Sequence, residues 1–184
     1  VYKRQVAAQP ARGHDRQGAL WLNPGRTIWS EIFVASLLIS YHSQSGACAQ
    51  LAQAACRGAR REAETEVSLL RAWDVGVGEL QAADGLLLVA AENSGYLSGG
   101  MKDFLDRVFY PAIDRSLVLP YALVISAGND GRGAVRQATR ILSGIPFSPA
   151  AEPLILRGEV QLAHMQAAED LGQAMAAGLA MGIY

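Results

Sequence analysis

Three short segments carry the residue types that could hold a ligand: HSQSGAC at 42–48, ENSGYLSGG at 92–100 and AGNDGRG at 127–133. Each follows an apolar run. Between them they place seven glycines with Ser43, Ser45, Asn93, Ser94, Ser98, Asn129 and Asp130. Glycine and small side chains let backbone N–H groups approach a ligand closely. A helix N-terminus adds free amides and about half a positive charge. HSQSG directly ahead of a helical pattern is therefore suited to a phosphate. No lysine or arginine lies between residues 31 and 56, so amides and the Ser43 and Ser45 hydroxyls would have to hold the anion. The plain alternative is a strand–turn–helix junction with serine caps. Neither a GxxxxGK[ST] loop nor a GxGxxG loop is present.

Other reactive side chains point to less. His42 beside Ser43 raises the idea of a nucleophilic serine, but neighbours at a strand end face opposite sides and GxSxG is absent. No catalytic residue is assigned. Cys48 and Cys56 sit eight apart on one helical pattern, too far to bridge, and lack the Cys/His spacing of a zinc site. They read as small packing residues in a reducing compartment. Arg132, Arg136 and Arg140 step along one side of a helix and read as a solvated stripe. Lys102, Asp103, Asp106 and Arg107 read as another, and His164 as a surface or partly buried residue.

The elements that would position the loops are legible from hydrophobic pattern. IFVASLLIS (32–40), EVSLLRA (66–72), GLLLVAA (85–91), YALVISA (121–127) and EPLILRG (152–158) read as strands, mostly apolar end to end. Helical stripes lie between them: Cys48, Leu51, Ala52, Ala55 and Ala59; then Met101, Phe104, Leu105, Val108 and Phe109, with Pro111 expected to end that helix. Ala134, Val135, Ala138, Ile141 and Leu142 form the next, and Met165, Ala168, Leu171, Gly172, Met175 and Leu179 the last. Strands apolar on both faces require a parallel sheet covered by helices on each side. With right-handed crossovers the expected strand order is 2-1-3-4-5. Ligands bind beyond the carboxyl ends of such strands where the order reverses, which gathers the loops after strands 1, 3 and 4. The loop after strand 2, AWDVGVGELQ, is expected to lie outside that group.

The 184 residues suit one well-buried domain, and a hydrophobic content of 51% excludes disorder of the whole chain. A formal charge of −1 gives no general affinity for nucleic acid and does not suggest a strongly acidic electron carrier. No apolar run reaches the roughly 18–20 residues of a membrane span. Residues 1–31 lack periodicity, have no apolar core of a secretory leader, and open on VYKRQ, which resembles an in-frame translation of a library adapter. They are expected to be a disordered or artefactual extension, His14 included, ahead of a domain at 32–184.

YHSQSGACAQLAQA resembles the phosphate loop of the flavodoxin and NAD(P)H-dependent FMN reductase superfamily, and ENSGYLSGGMKDFLDRVFYP resembles the segment after strand 3 in FMN reductases and flavodoxin-fold quinone reductases. SAGNDGRGAV is similar to their loop after strand 4. The resemblance covers about residues 34–183. It implies a flavodoxin-like three-layer sandwich that binds FMN, with the phosphate at Ser43, Gln44, Ser45, Gly46, Ala47 and Cys48. The ring would lie between Glu92, Asn93, Ser94, Gly95, Tyr96, Leu97 and Ser98 on one side and Gly128, Asn129 and Asp130 on the other. Gly95 would take a positive φ near the flavin N5, and Tyr96 would stack on the ring or sit at its rim.

The implied activity is a cytoplasmic NAD(P)H-dependent reduction of FMN and of a quinone or similar small-molecule acceptor, in a chain that self-associates. A non-catalytic electron-transfer module docking on a redox partner protein is the alternative, and a relative that has lost flavin is a third reading. Ala47-Cys48 stand where members commonly have asparagine–threonine, which removes two side-chain hydrogen bonds to phosphate, each worth about 0.5–1.5 kcal/mol. Ala91-Glu92 stand where the loop after strand 3 commonly opens with proline.

Overall fold

The computed structural model describes residues 34–184, so the expectation for residues 1–31 lies outside the described residues. Strands and helices alternate as β1 (Ala35–Tyr41), α1 (Ala47–Ala59), β2 (Thr65–Arg71), α2 (Val77–Gln81), β3 (Gly85–Asn93), β4 (Tyr96–Leu97) and α3 (Gly99–Asp114). They continue as β5 (Pro120–Ala127), α4 (Arg132–Leu142), β6 (Ser148–Pro149), β7 (Leu154–Arg157) and α5 (Leu162–Ala180). The parallel order β2-β1-β3-β5 ends in an edge that β6 and β7 share, each paired with β5. This is the expected 2-1-3-4-5 order with the fifth strand broken in two. The Ala150 N–H still donates to the Tyr121 carbonyl at 2.8 Å, residues 151–153 carry no strand, and Pro153 directly ahead of β7 has no N–H to add to a ladder.

Alternate side chains of the central strands feed two cores, one on each face. Leu38, Leu86, Leu88, Leu123 and Ile125 pack with Met101, Phe104 and Leu105 of α3. Leu37, Ile39, Leu87, Val89 and Val124 pack with Leu51 and Ala55 of α1 and Met175 of α5. Each fully buried leucine contributes about 1.5–3 kcal/mol relative to exposure. α1 and α5 touch backbone to backbone, because Gly58 lies against the Glu169 carbonyl and Gly172 against that of Ala55, with no room for a Cβ at either.

Two local expectations are corrected. Pro111 does not end its helix; α3 continues through it to Asp114. The fixed φ of proline is itself helical, its cost is a lost hydrogen bond and crowding against the carbonyl one turn earlier, and the following Ala112 is fully buried in the core. The loop after β2 also carries structure, a 3-10 turn at Ala72–Asp74 and the short α2. Arg107 of α3 holds that turn, donating to the Val75 carbonyl at 2.9 Å and the Ala72 carbonyl at 2.7 Å. Its neighbours on the helix form the expected solvated face, with Lys102 paired to Asp106 and Arg107 to Asp103.

Candidate functional site

β1 ends in Tyr41, and the chain must turn from the sheet into α1 within five residues. Ser43 Oγ accepts the Gly46 N–H at 3.1 Å and closes the turn. Gly46 is the N-cap, at φ 95°, a left-handed conformation in which a side chain would be strained. No side chain caps α1. The Gln50 N–H bonds the Gly46 carbonyl at 3.0 Å, so the amides of Ala47, Cys48 and Ala49 are those without a partner inside the helix. The serine-capped junction is thus not what the residues form.

The second loop is a hairpin. Ser94 (φ 51°) and Gly95 (φ 78°) make a two-residue turn of type I′ geometry that folds β4 back on β3, with Asn93 opposite Tyr96. It rests on α4: the Leu97 N–H donates to Gln137 Oε1 at 2.9 Å, and Gly133 has no Cβ to collide with the Gly95 carbonyl. The third loop is tied to the second where the Asn129 N–H donates to the Glu92 carboxylate at 3.3 Å. Asp130 accepts the Arg132 N–H at 2.9 Å, and Gly131 turns into α4 at φ 72°. Asn93 Nδ2 donates to Gln44 Oε1 at 3.2 Å and joins the second loop to the first.

These loops border a cavity of about 790 Å³ at the carboxyl ends of the strands. Ser43, Gln44, Ser45, Ala47 and Cys48 line it from the first loop, Glu92 and Asn93 from the second, and Gly128 from the third. The other named residues lie around it. Gly46 faces a smaller hollow of about 250 Å³ shared with Arg71 and Trp73. Ser94, Gly95 and Tyr96 line a separate groove against α4, and Tyr96 is 61% exposed. Leu97 and Ser98 are buried, while Asn129 and Asp130 hold the third loop in shape.

Sequence reasoning left several lining residues out of the site. His42 and Gln50 line the cavity, as do Ser126 on β5 and the segment Gly158–Val160 after β7. The last of these had a signal, since the strand-end rule applies to the final strand as much as to the others. As expected, no residue of the loop after strand 2 lines the large cavity, although Trp73 of that loop and Arg71 at the end of β2 border the smaller hollow beside Gly46.

His42 is buried, with Nδ1 3.0 Å from Ser98 Oγ and its ring 5.6 Å from that of Trp73 in an edge-on arrangement. Gly100 leaves room for the ring, and burial lowers the imidazole pKa. Ser98 is fully buried, so the pair fastens β1 to the start of α3 and offers no nucleophile. Burial pushes the Cys48 thiol up to about 11, which keeps it protonated and unreactive at neutral pH. Both cysteines are free and buried. Glu92 and Glu159 are the charged residues lining the large cavity, and no lysine or arginine does. Among the described residues, no group of three or more His, Cys, Asp or Glu could hold a metal ion, and no helix is long and apolar enough to cross a membrane.

No protein-family model matches the chain, and no curated protein does. Solved structures do. An archaeal flavodoxin is similar at 18% identity with a TM-score of 0.70, over 78% of this chain and 98% of that one. A WrbA-like flavodoxin from Agrobacterium tumefaciens is similar at 16% identity and a TM-score of 0.66, over 80% and 98%. Rubredoxin oxygen:oxidoreductase from the anaerobe Desulfovibrio gigas matches at 15% identity and a TM-score of 0.67, but over only 37% of its length and 80% of this chain. The chain has the flavodoxin-like fold.

Proposed function

We propose that this chain is an FMN-binding redox protein that uses NAD(P)H to reduce FMN and, through it, a quinone or similar small acceptor. The observation that carries the reading is the uncapped first turn of α1. Its free amides at Ala47, Cys48 and Ala49 stand behind left-handed Gly46, beside Ser43 and Ser45 and next to a cavity of about 790 Å³. That volume lies in the range of sites for small cofactors. A phosphate held there is neutralised by amides and the helix dipole, which suits a loop that supplies no cation of its own.

Ser43, Ser45 and the α1 amides would bind the phosphate. Of the loops at 92–98 and 127–131, Glu92, Asn93 and Gly128 line the cavity and would border the ring, with Asn129 and Asp130 shaping its far side. FMN, when bound, supplies hydride acceptance and electron delivery. The chain's own groups bind and orient, and no side chain is needed as acid or base. The likeness to flavodoxins supports the flavin reading at the level of fold. Flavin redox work in the cytoplasm, on a self-associated chain, belongs to the same proposal.

Titration of the full chain with FMN and with riboflavin, read by flavin fluorescence quenching, tests it. Binding of FMN at least tenfold tighter than riboflavin supports both cofactor and phosphate loop. Absence of binding by either removes the reading. Oxidation of NADPH or NADH with a quinone then separates an enzyme from an electron carrier that needs a protein partner.

A further inference from the structure

We infer that the groove running from the β3–β4 hairpin along α4 binds the adenine-nucleotide half of the reductant. Its phosphates would lie at Arg136 and Arg140 and its base between Phe109 and Ile141. The inference rests on the oxidoreductase reading for its purpose, while its binding chemistry stands on α3 and α4 alone.

Two hollows meet here and share Gln137 and Arg140. One, of about 650 Å³, is bordered by Gly95, Tyr96 and Arg136; the other, of about 380 Å³, by Lys102, Phe109 and Ile141. Arg136 and Arg140 are four apart on α4, so both present to the same face. Both are exposed, and neither makes an ion pair among the described residues. Neighbouring cations differ: Arg132 lies 4.0 Å from Asp130, and Lys102 is held by Asp106 at 2.7 Å. Two uncompensated guanidinium forks lining one groove match phosphate oxygens in geometry and charge.

The far hollow has different chemistry. Phe109 and Ile141 are half-buried there, an apolar slot for a flat heteroaromatic base. Gly133 to Ile141 spans eight residues, about 12 Å of helix. One end of the groove therefore meets the hairpin tip at Gly95 and the other meets the slot. On the opposite side of the hairpin, Glu92 and Glu159 line the large cavity without a cation and disfavour a second polyanion. Two arginines without a carboxylate partner suit a nucleotide with phosphates on both sides of its ribose, so NADPH is taken as the reductant.

Calorimetric titration of the full chain with adenosine 2′,5′-bisphosphate, adenosine 5′-monophosphate and inorganic phosphate tests the groove. The bisphosphate should bind at least tenfold tighter than the monophosphate. Arg136→Ala with Arg140→Ala should weaken it at least tenfold and leave FMN affinity within twofold, while Thr139→Ala should change neither. Inorganic phosphate binding as tightly as the bisphosphate would reduce the groove to an anion patch and overturn the assignment. Unaltered bisphosphate binding in the double variant, or none in the unmodified chain, would also overturn it. Arginine-dependent bisphosphate binding by a chain that ignores FMN would keep the groove and sink the flavin reading instead.

Discussion

His42 and Ser98 share a hydrogen bond of 3.0 Å between residues 56 apart in sequence, and both side chains are buried. The imidazole sits edge-on to Trp73 and occupies the space that Gly100 leaves open. One ring thus connects the end of β1, the start of α3 and the turn after β2, the three elements around the first loop.

The charge state of that ring predicts a pH dependence. Burial holds the folded pKa below the ordinary value of 6.5, so between the two values the unfolded chain binds more protons. The stabilisation is fully present above 6.5 and is lost as pH falls from there toward the folded value. Urea unfolding at about pH 5 and about pH 8 should show this loss, and His42→Gln should shrink the difference between the two. An equal difference in the variant would place the titration elsewhere.

Ala47 predicts a gain of function. It lines the cavity at the first position of α1, where an amide side chain can reach a phosphate. Ala47→Asn should tighten FMN binding by about 0.5–1.5 kcal/mol, roughly twofold to twelvefold, and leave riboflavin unaffected. Parallel improvement for both ligands would mean that the new amide contacts the ring or the cavity wall, and not the phosphate.

The space around two glycines predicts opposite outcomes. Gly172→Val drives a side chain into the Ala55 carbonyl and should cost about 3 kcal/mol or more. Gly78 in α2 has open space around it and no positive φ, so Gly78→Ala should stabilise by about 0.4–1 kcal/mol. Thermal melts of the two variants should move in opposite directions.

Arg107 predicts a local effect. Its two hydrogen bonds to the carbonyls of Ala72 and Val75 brace the turn that carries Trp73. Arg107→Lys keeps the charge but loses the fork, and should cost about 1–3 kcal/mol while shifting Trp73 emission. Unchanged emission with lowered stability would locate the loss in α3 instead of the turn.

Strand order was legible because largely apolar strands call for a covered parallel sheet and right-handed crossovers then limit the order, although Ser36, Ser40 and Ser126 interrupt the apolar runs of β1 and β5. Short elements were not. β4 and β6 are two residues each, below any periodic signal, and Ser94-Gly95 is read as a hairpin turn only once both residues are seen at positive φ. The site was legible as three loops, yet its division was hidden. Asn93 and Tyr96 are opposite one another across the hairpin, but Asn93 lines the large cavity and Tyr96 the groove on α4. The arginine stripe is solvated, as its spacing suggests; that Arg136 and Arg140 also border a groove is not carried by helical spacing, which reports only which residues share a face. The pairing of Arg107 with Asp103 fits helical spacing, but its bonds to the Ala72 and Val75 carbonyls leave no trace in side-chain pattern.

The glycine contacts between α1 and α5 also bear on how the protein is made. Gly58 and Gly172 are 114 residues apart, yet they let the helix that presents the first loop's amides lie directly on α5. On a ribosome, every residue lining the large cavity emerges before α5 does. Until α5 docks, the side of α1 that carries Ala55 and Gly58 lacks its helix neighbour, and long-range closure of this kind is slow. A chain cut between Val160 and Leu162 would therefore keep every residue that lines the large cavity yet lack the helix against which α1 is packed.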